Sequence, residues 1–272
     1  MVKIFLRAQK MIRPASMIEH SFLFLEGIQE RSEQKLFDQG ICSWDAFLRE
    51  KEIRGISRRR KLYYDRKITR ARSELYKGNS GHFTDILPKK HHWLLFEKFY
   101  DEAVYIDIET DGNKKDSRLI AISLFDSYEA KTMIRDVNLD IDALRVYLSH
   151  FKYIISFNGS CFDTPFINRR YQNMFPDVPH MDLRFLCAQL GLKGSLKEVE
   201  NMIGITREGL VSRVKGGDPS LLWRMLKGSS DPYYLDLLVR YNQEDVINLQ
   251  PLAKKAYSLL SRSLKERLAK AA

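Results

Sequence analysis

The order of apolar and polar positions divides the chain near residue 100. Before that point apolar residues recur at helical spacing. The run Phe22-Leu-Phe-Leu25 leads through Gly27 and Ile28 into a segment from Glu30 to Gln39, with Gly40 placed to close it as the residue just past a helix. Ser43 is positioned to cap a following helix that carries Trp44, Phe47 and Leu48 on one side. Asn79-Ser-Gly81 and Pro88 break the pattern ahead of His91-His-Trp93. From Ala103 the character changes. Ala103-Val-Tyr-Ile-Asp-Ile-Glu109 reads as a strand, Asp111-Gly-Asn113 as a turn, and 118–125 and 129–134 as two more strands of a meander. Residues 140–150 regain helical spacing through Ile141, Leu144, Val146 and Leu148, and Tyr153 to Phe157 forms a short strand ending at Asn158-Gly159. The rest is mostly helical. Ser195 and Glu198 make a capping-box pair, and Asp231 before Pro232 starts a helix running through Tyr241 and Asp245. Pro251 is expected to interrupt that helix before a final basic amphipathic one. No internal repeat or low-complexity tract is present.

This succession predicts an α/β fold in two parts, a helical domain over 1–98 and a sheet flanked by helices over 99–272. With 44% hydrophobic and 29% charged residues, the composition excludes collagen-like and disordered classes. Cys42, Cys161 and Cys187 are too few and scattered for a disulfide framework or a zinc site, which fits a reducing compartment. The amino-terminal MVKIFLRAQK is not followed by the apolar core of a signal peptide. No run approaches the roughly 18 apolar residues of a membrane span. The expectation is a cytoplasmic protein with no membrane partner; oligomeric state is not legible.

The net charge is +10 and the pI about 9.4. The first hundred residues hold 21 Lys and Arg against 12 Asp and Glu, whereas the remainder is nearly balanced. Between Arg54 and Arg72 nine basic residues face one acid, Asp65, with Tyr63 and Tyr64 among them. If helical, Arg59, Tyr63, Arg66 and Arg70 share one face. Such a stripe, with Arg58 and Arg60, can grip phosphates while tyrosines stack on bases, or it can be a solvated helix face.

Three polar constellations carry candidate chemistry. Asp107 and Glu109 lie two apart on an apolar strand and so share a face, where they repel unless a cation sits between them. An oxygen-seeking ion such as Mg²⁺ suits that pair, although a strand can also simply end in solvent. Asp111 continues the alternation, next to a turn-forming glycine. Asp163 stands near a helix start after Asn158-Gly159, flanked by Phe162 and Phe166, where an acid also complements the helix dipole. Tyr241 and Asp245 are stacked four apart on one helix, able to position a water or to form a plain polar face.

The three occur in a telling order, strand D-x-E, then N-G-x-x-F-D-x-P-F, then helical Y-N-x-x-D-V. Over about residues 100–260 the chain resembles ribonuclease H-like 3′–5′ exonucleases of the DEDD superfamily, tyrosine subtype. The likeness is greatest to exonuclease domains of family B DNA polymerases and to YprB-type proteins. The resemblance implies that Asp107, Glu109, Asp163 and Asp245 hold two divalent ions, Mg²⁺ or Mn²⁺, with Asp107 shared. One ion would activate a water and the other would stabilise the leaving 3′ oxygen. Tyr241 would orient the water, and Asn158 and Phe162 would line the pocket for the terminal nucleotide. His180-Met-Asp182-Leu also resembles a YprB-type segment, with His180 and Asp182 in supporting or structural roles. Trp93 and Trp223 are read as core.

Gly27 to Leu36 followed by Gly40-Ile-Cys-Ser-Trp-Asp45 resembles a helix-hairpin-helix, whose backbone N–H groups would meet a phosphate. Gln29 replaces the usual second glycine, and a purely structural helical domain is the other reading. The function implied is a metal-dependent 3′–5′ exonuclease on single-stranded DNA or RNA, with DNA favoured. A non-catalytic nucleic-acid-binding module and a ribonuclease H-type endonuclease are the alternatives.

Overall fold

The computed structural model describes residues 16–112, 117–207 and 219–271. The amino-terminal MVKIFLRAQK and Asn113 of the expected turn lie outside the described residues. No helix among the described residues is long and apolar enough to cross a membrane.

The first part is helical. A 3-10 turn at Met17–His20 precedes α1 (Glu30–Phe37), α2 (Trp44–Arg49), α3 (Arg58–Tyr76) and α4 (His82–Ile86); a 3-10 segment at Lys89–Leu95 then runs into α5 (Phe96–Phe99). Ser43 and Ser57 cap α2 and α3 by accepting from the backbone N–H groups of Ala46 and Arg60. Helix α1 is two residues shorter than the apolar pattern suggests. Gly40 still closes its turn, with φ of 76° and its N–H donating to Phe37 O.

The five-stranded sheet has the order β3-β2-β1-β4-β5. Its strands are β1 (Ala103–Thr110), β2 (Leu119–Phe125), β3 (Ala130–Ile134), β4 (Tyr153–Ser156) and β5 (His180–Asp182). The meander β1-β2-β3 is antiparallel, while β4 runs parallel to β1 and β5 parallel to β4. Helices α6 (Ile141–Leu148), α7 (Asp163–Arg170), α8 (Leu183–Gln189), α9 (Leu196–Ile203), α10 (Pro219–Ser229) and α11 (Pro232–Ala269) complete the described chain. This is the mixed sheet flanked by helices, preceded by a helical segment, that the pattern predicts.

The alternation of β1 decides where the chemistry lies. Val104, Ile106 and Ile108 point to one face, where they pack with Leu144 and Leu148 of α6 and Phe166 and Ile167 of α7. Ala103 and Tyr105 point to the other, in a core shared with Val246, Leu249, Leu252 and Ala253 of α11 and with the helical first part. Asp107 and Glu109 follow Tyr105 at period two, so they project toward α11. Trp93 and Trp223 are both buried, as core residues.

Two elements depart from expectation. Strand β5 falls where the chain reads as helical. It has only three residues and is defined by pairing with β4, Ile154 opposite His180 and Ser156 opposite Asp182. Pro251 does not interrupt the last helix, which runs unbroken from Pro232 to Ala269. The ring removes one backbone donor, but Pro251 sits on the exposed side while Leu249, Leu252 and Ala253 are buried against the sheet. Burial on both sides of the proline outweighs the missing hydrogen bond.

Candidate active site

The site forms where β1, the β4–α7 loop and α11 meet. One carboxylate oxygen each from Asp107, Glu109 and Asp245 lie within 4.8 Å of one another. Two come from adjacent inward positions of β1 and the third from the helix covering that face. Asp163, the first residue of α7, is 5% exposed, and its Oδ2 has no hydrogen-bond partner. Burial, followed by the Asp163, Glu109 and Asp245 carboxylates, pushes Asp107 well above the usual carboxylate range. Burial first, with Asp182 adding, pushes Asp163 up to about 8. Burial raises Asp245 to about 6, against the opposing pull of Arg207.

These features fit a divalent cation. All the donors are oxygens, which suits Mg²⁺ or Mn²⁺ rather than softer metals. An orphaned buried carboxylate oxygen beside three converging carboxylates is costly without positive charge. Asp111 takes no part. It closes the β1–β2 turn, accepting from Arg118 N at 2.6 Å and pairing with Arg135 at 3.4 Å.

Local structure explains how Asp163 is presented. Asn158 has a φ of 67°, and Gly159 follows it. A Cβ on Gly159 would lie 2.7 Å from Ser156 Cβ and 3.0 Å from Asp163 Oδ2, so only glycine lets the loop close over the strand end. Asp182 then ties the loop down. Its carboxylate accepts from Asn158 N at 2.8 Å, Ser160 N at 3.0 Å, Ser160 Oγ at 2.5 Å and Arg184 N at 3.1 Å. His180 Nε2 meets Ser156 Oγ at 2.7 Å beneath the same loop. Asp182 and His180 thus hold the loop that carries Asp163. Phe162 is half-buried and stacks on Phe166 of α7 at 5.8 Å.

On α11, Tyr241 lies one turn before Asp245. Burial, then the Asp245 and Glu109 carboxylates, raises its phenol far above the ordinary value, so it stays protonated at neutral pH. Lys197 lies over its ring at 4.6 Å.

Two groups at the site carry no signal in the sequence pattern. Arg207 donates through Nε and Nη2 to the two oxygens of Glu200 at 2.6 and 2.9 Å, and through Nη1 to Asp245 Oδ1 at 2.5 Å. The Glu200 side chain is 1% exposed and that of Asp245 8%. A guanidinium thus bridges a candidate metal ligand to a buried glutamate on α9.

The basic stripe lies elsewhere, on α3. Arg58, Arg59, Arg66 and Arg70 are exposed and have no side-chain partner among the described residues. Arg60 is occupied otherwise. Its Nε donates to Tyr64 Oη at 2.7 Å and its Nη2 to Glu26 O at 3.1 Å. A Cβ at Gly27, whose φ is 81°, would come within 2.5 Å of Arg60 Nη2. Gly27 of the hairpin-like segment therefore makes room for the Arg60 guanidinium. Tyr63 Oη donates to Glu26 at 2.8 Å, and Tyr64 is fully buried.

A family model described as RNase_H superfamily matches residues 104–257, more than half of the chain, and the chain belongs to that superfamily. Nucleases of this superfamily use divalent metals, in keeping with the acidic cluster found here. Among solved structures, the family B DNA polymerase from the hyperthermophilic archaeon Pyrobaculum calidifontis is similar, with a TM-score of 0.45 and 16% identity over 56% of this chain. The match spans 24% of that polymerase. None of the curated proteins compared matches the chain.

Proposed function

We propose that this protein is a metal-dependent 3′–5′ exonuclease of the tyrosine DEDD subtype, acting on single-stranded nucleic acid with DNA preferred. The supporting observation is the convergence of Asp107, Glu109 and Asp245 within 4.8 Å, beside the orphaned Asp163 oxygen. Two divalent ions held by these four carboxylates would supply activation of the attacking water and stabilisation of the leaving 3′ oxygen. Asp107, whose carboxyl is pushed up by burial and by the neighbouring Asp163, Glu109 and Asp245 carboxylates, would be the ligand shared by the two ions. Tyr241, kept protonated, orients the nucleophilic water toward the phosphorus. Asn158 and Phe162 line the place of the terminal nucleotide. Asp182 and Gly159 fix the loop from which these residues and Asp163 project.

In this reading residues 99–272 cut, and the basic helical part, 1–98, holds the strand through Arg58, Arg59, Arg66 and Arg70. The motif order, which resembles that of family B polymerase exonuclease domains and YprB-type proteins, supports a role in nucleic-acid repair or processing, and three free cysteines suit a reducing cytoplasm. The test is a pair of variants. Asp107→Ala and Asp245→Asn should abolish hydrolysis while leaving strand binding, read by fluorescence anisotropy, largely intact. Full activity in either purified variant would remove the metal assignment. Internal fragments instead of a shortening ladder would replace the exonuclease with an endonuclease.

A further inference from the structure

A cleft of about 810 Å³ opens between the helical first part and the β5 edge of the sheet. Ser160, Cys161 and Thr164 line it, the neighbours of Asp163 on the β4–α7 loop, whereas Asp107, Glu109 and Asp245 do not. Val178, Met181 and Phe185 give it an apolar lining, and Phe185 is 46% exposed. Several polar groups here are unused. Thr84 Oγ1 is buried without a partner. His180 engages Ser156 through Nε2, and its Nδ1 has no partner among the described residues. At the lysine end, Lys90 pairs with Glu30 at 2.8 Å, while Lys89 is exposed and has no carboxylate partner among the described residues. Asp182, a carboxylate in the lining, already accepts from four donors.

An apolar cleft with unsatisfied hydrogen-bonding groups and an available cation suits a ligand with a flat face, a polar edge and a negative charge. A nucleotide has all three, and the volume lies within the range of small-ligand sites, about 300–1,000 Å³. We propose that this cleft binds one nucleotide unit, its base against Phe185 with its edge toward Thr84 and His180, and its phosphate toward Lys89. The assignment rests on the nuclease reading for its biological sense. A strand whose 3′ end lies at the acidic cluster would place a further nucleotide here, because the two sites share one loop. A free mononucleotide has the same chemistry.

Cys161 makes the proposal testable in the whole protein, because it is exposed and lines the cleft, while Cys187 is buried. The rate of iodoacetamide alkylation at Cys161, assigned by peptide mass mapping, is measured in EDTA with thymidine 5′-monophosphate and with thymidylate oligomers of increasing length. Protection of Cys161 by oligomers alone assigns the cleft to the strand; equal protection by the monophosphate assigns it to free nucleotide. Phe185→Ala should weaken the protecting ligand by about 5- to 150-fold, the range for removing one base–aromatic stack. Lys89→Ala should weaken it further as salt is lowered. No protection by either ligand, or protection undiminished in Phe185→Ala, overturns the proposal. Asp107→Ala should keep the protection. Protection without metal-dependent cleavage would therefore leave the cleft assignment standing and remove the exonuclease; cleavage without protection would do the reverse.

Discussion

Arg207→Met probes the electrostatics of the site most sharply. The substitution keeps an apolar stem and removes a guanidinium that makes three short contacts, at 2.6, 2.9 and 2.5 Å. It leaves Glu200, at 1% side-chain exposure, and Asp245, at 8%, without their cation. Deleting one partner of a buried ion pair costs about 3–5 kcal/mol, because the remaining charge stays in the interior. At about 2–4 °C per kcal/mol for a chain of this size, the melting midpoint in EDTA falls by roughly 6–20 °C. Two internal controls follow from the geometry. Adding Glu200→Gln removes the stranded charge, so the double variant should recover part of the loss, making the two changes non-additive. Mg²⁺ or Mn²⁺ should raise the midpoint more in Arg207→Met than in the wild type, because a bound cation replaces the missing charge at Asp245. Thermal and urea melts with and without metal read all three. An unchanged midpoint in the single variant, or strictly additive losses in the double, would refute the reasoning.

Three further predictions come from separate parts of the molecule. Gly159→Ala forces a methyl group against Ser156 and Asp163 Oδ2, so it should cost about 1–3 kcal/mol in urea melts, with a disproportionate loss of metal-dependent cleavage. Adding Ser156→Gly should return part of both, and a fully active Gly159→Ala would show that the loop tolerates the crowding. His91 is pushed down to about 4 by burial, so its contribution is whole above an unfolded value near 6.5 and is lost as pH falls from there toward 4. The stability advantage of wild type over His91→Gln should therefore shrink by up to about 1.4 kcal/mol per pH unit in that window, and an advantage independent of pH would contradict it. Neutralising Arg59, Arg66 and Arg70 together should flatten the salt dependence of strand binding by roughly 0.7 for each phosphate no longer gripped, whereas Arg60→Ala should lower stability instead, since its hydrogen bonds are internal. An unaltered slope would make the α3 stripe a solvated surface.

The parts of the fold legible in the sequence are those set by local periodicity. The change from helical spacing to alternation at Ala103 marks β1, and the same alternation puts Asp107 and Glu109 on the face that α11 covers. Asp231 and Pro232 mark the start of that helix as the capping chemistry requires. What was hidden depends on partners distant in the chain. Strand β5 has three residues and exists through its pairing with β4. Helix α11 passes Pro251 because buried neighbours hold both sides. Arg207 reaches Asp245 across 38 residues, and no spacing rule joins them. The hairpin-like segment shows the converse, since Gly27 suggests a phosphate approach in sequence but in the fold it admits the Arg60 guanidinium.

The most direct test of the central claim is a degradation time course. The substrates are 5′-labelled single-stranded DNA and RNA, incubated with Mg²⁺, Mn²⁺ or EDTA, with Asp107→Ala alongside. The account predicts a ladder shortening from the 3′ end, faster on DNA, dependent on the divalent ion and absent in the variant. Intact substrate under every condition, with binding indifferent to EDTA, would contradict it and leave the acidic cluster without catalytic work.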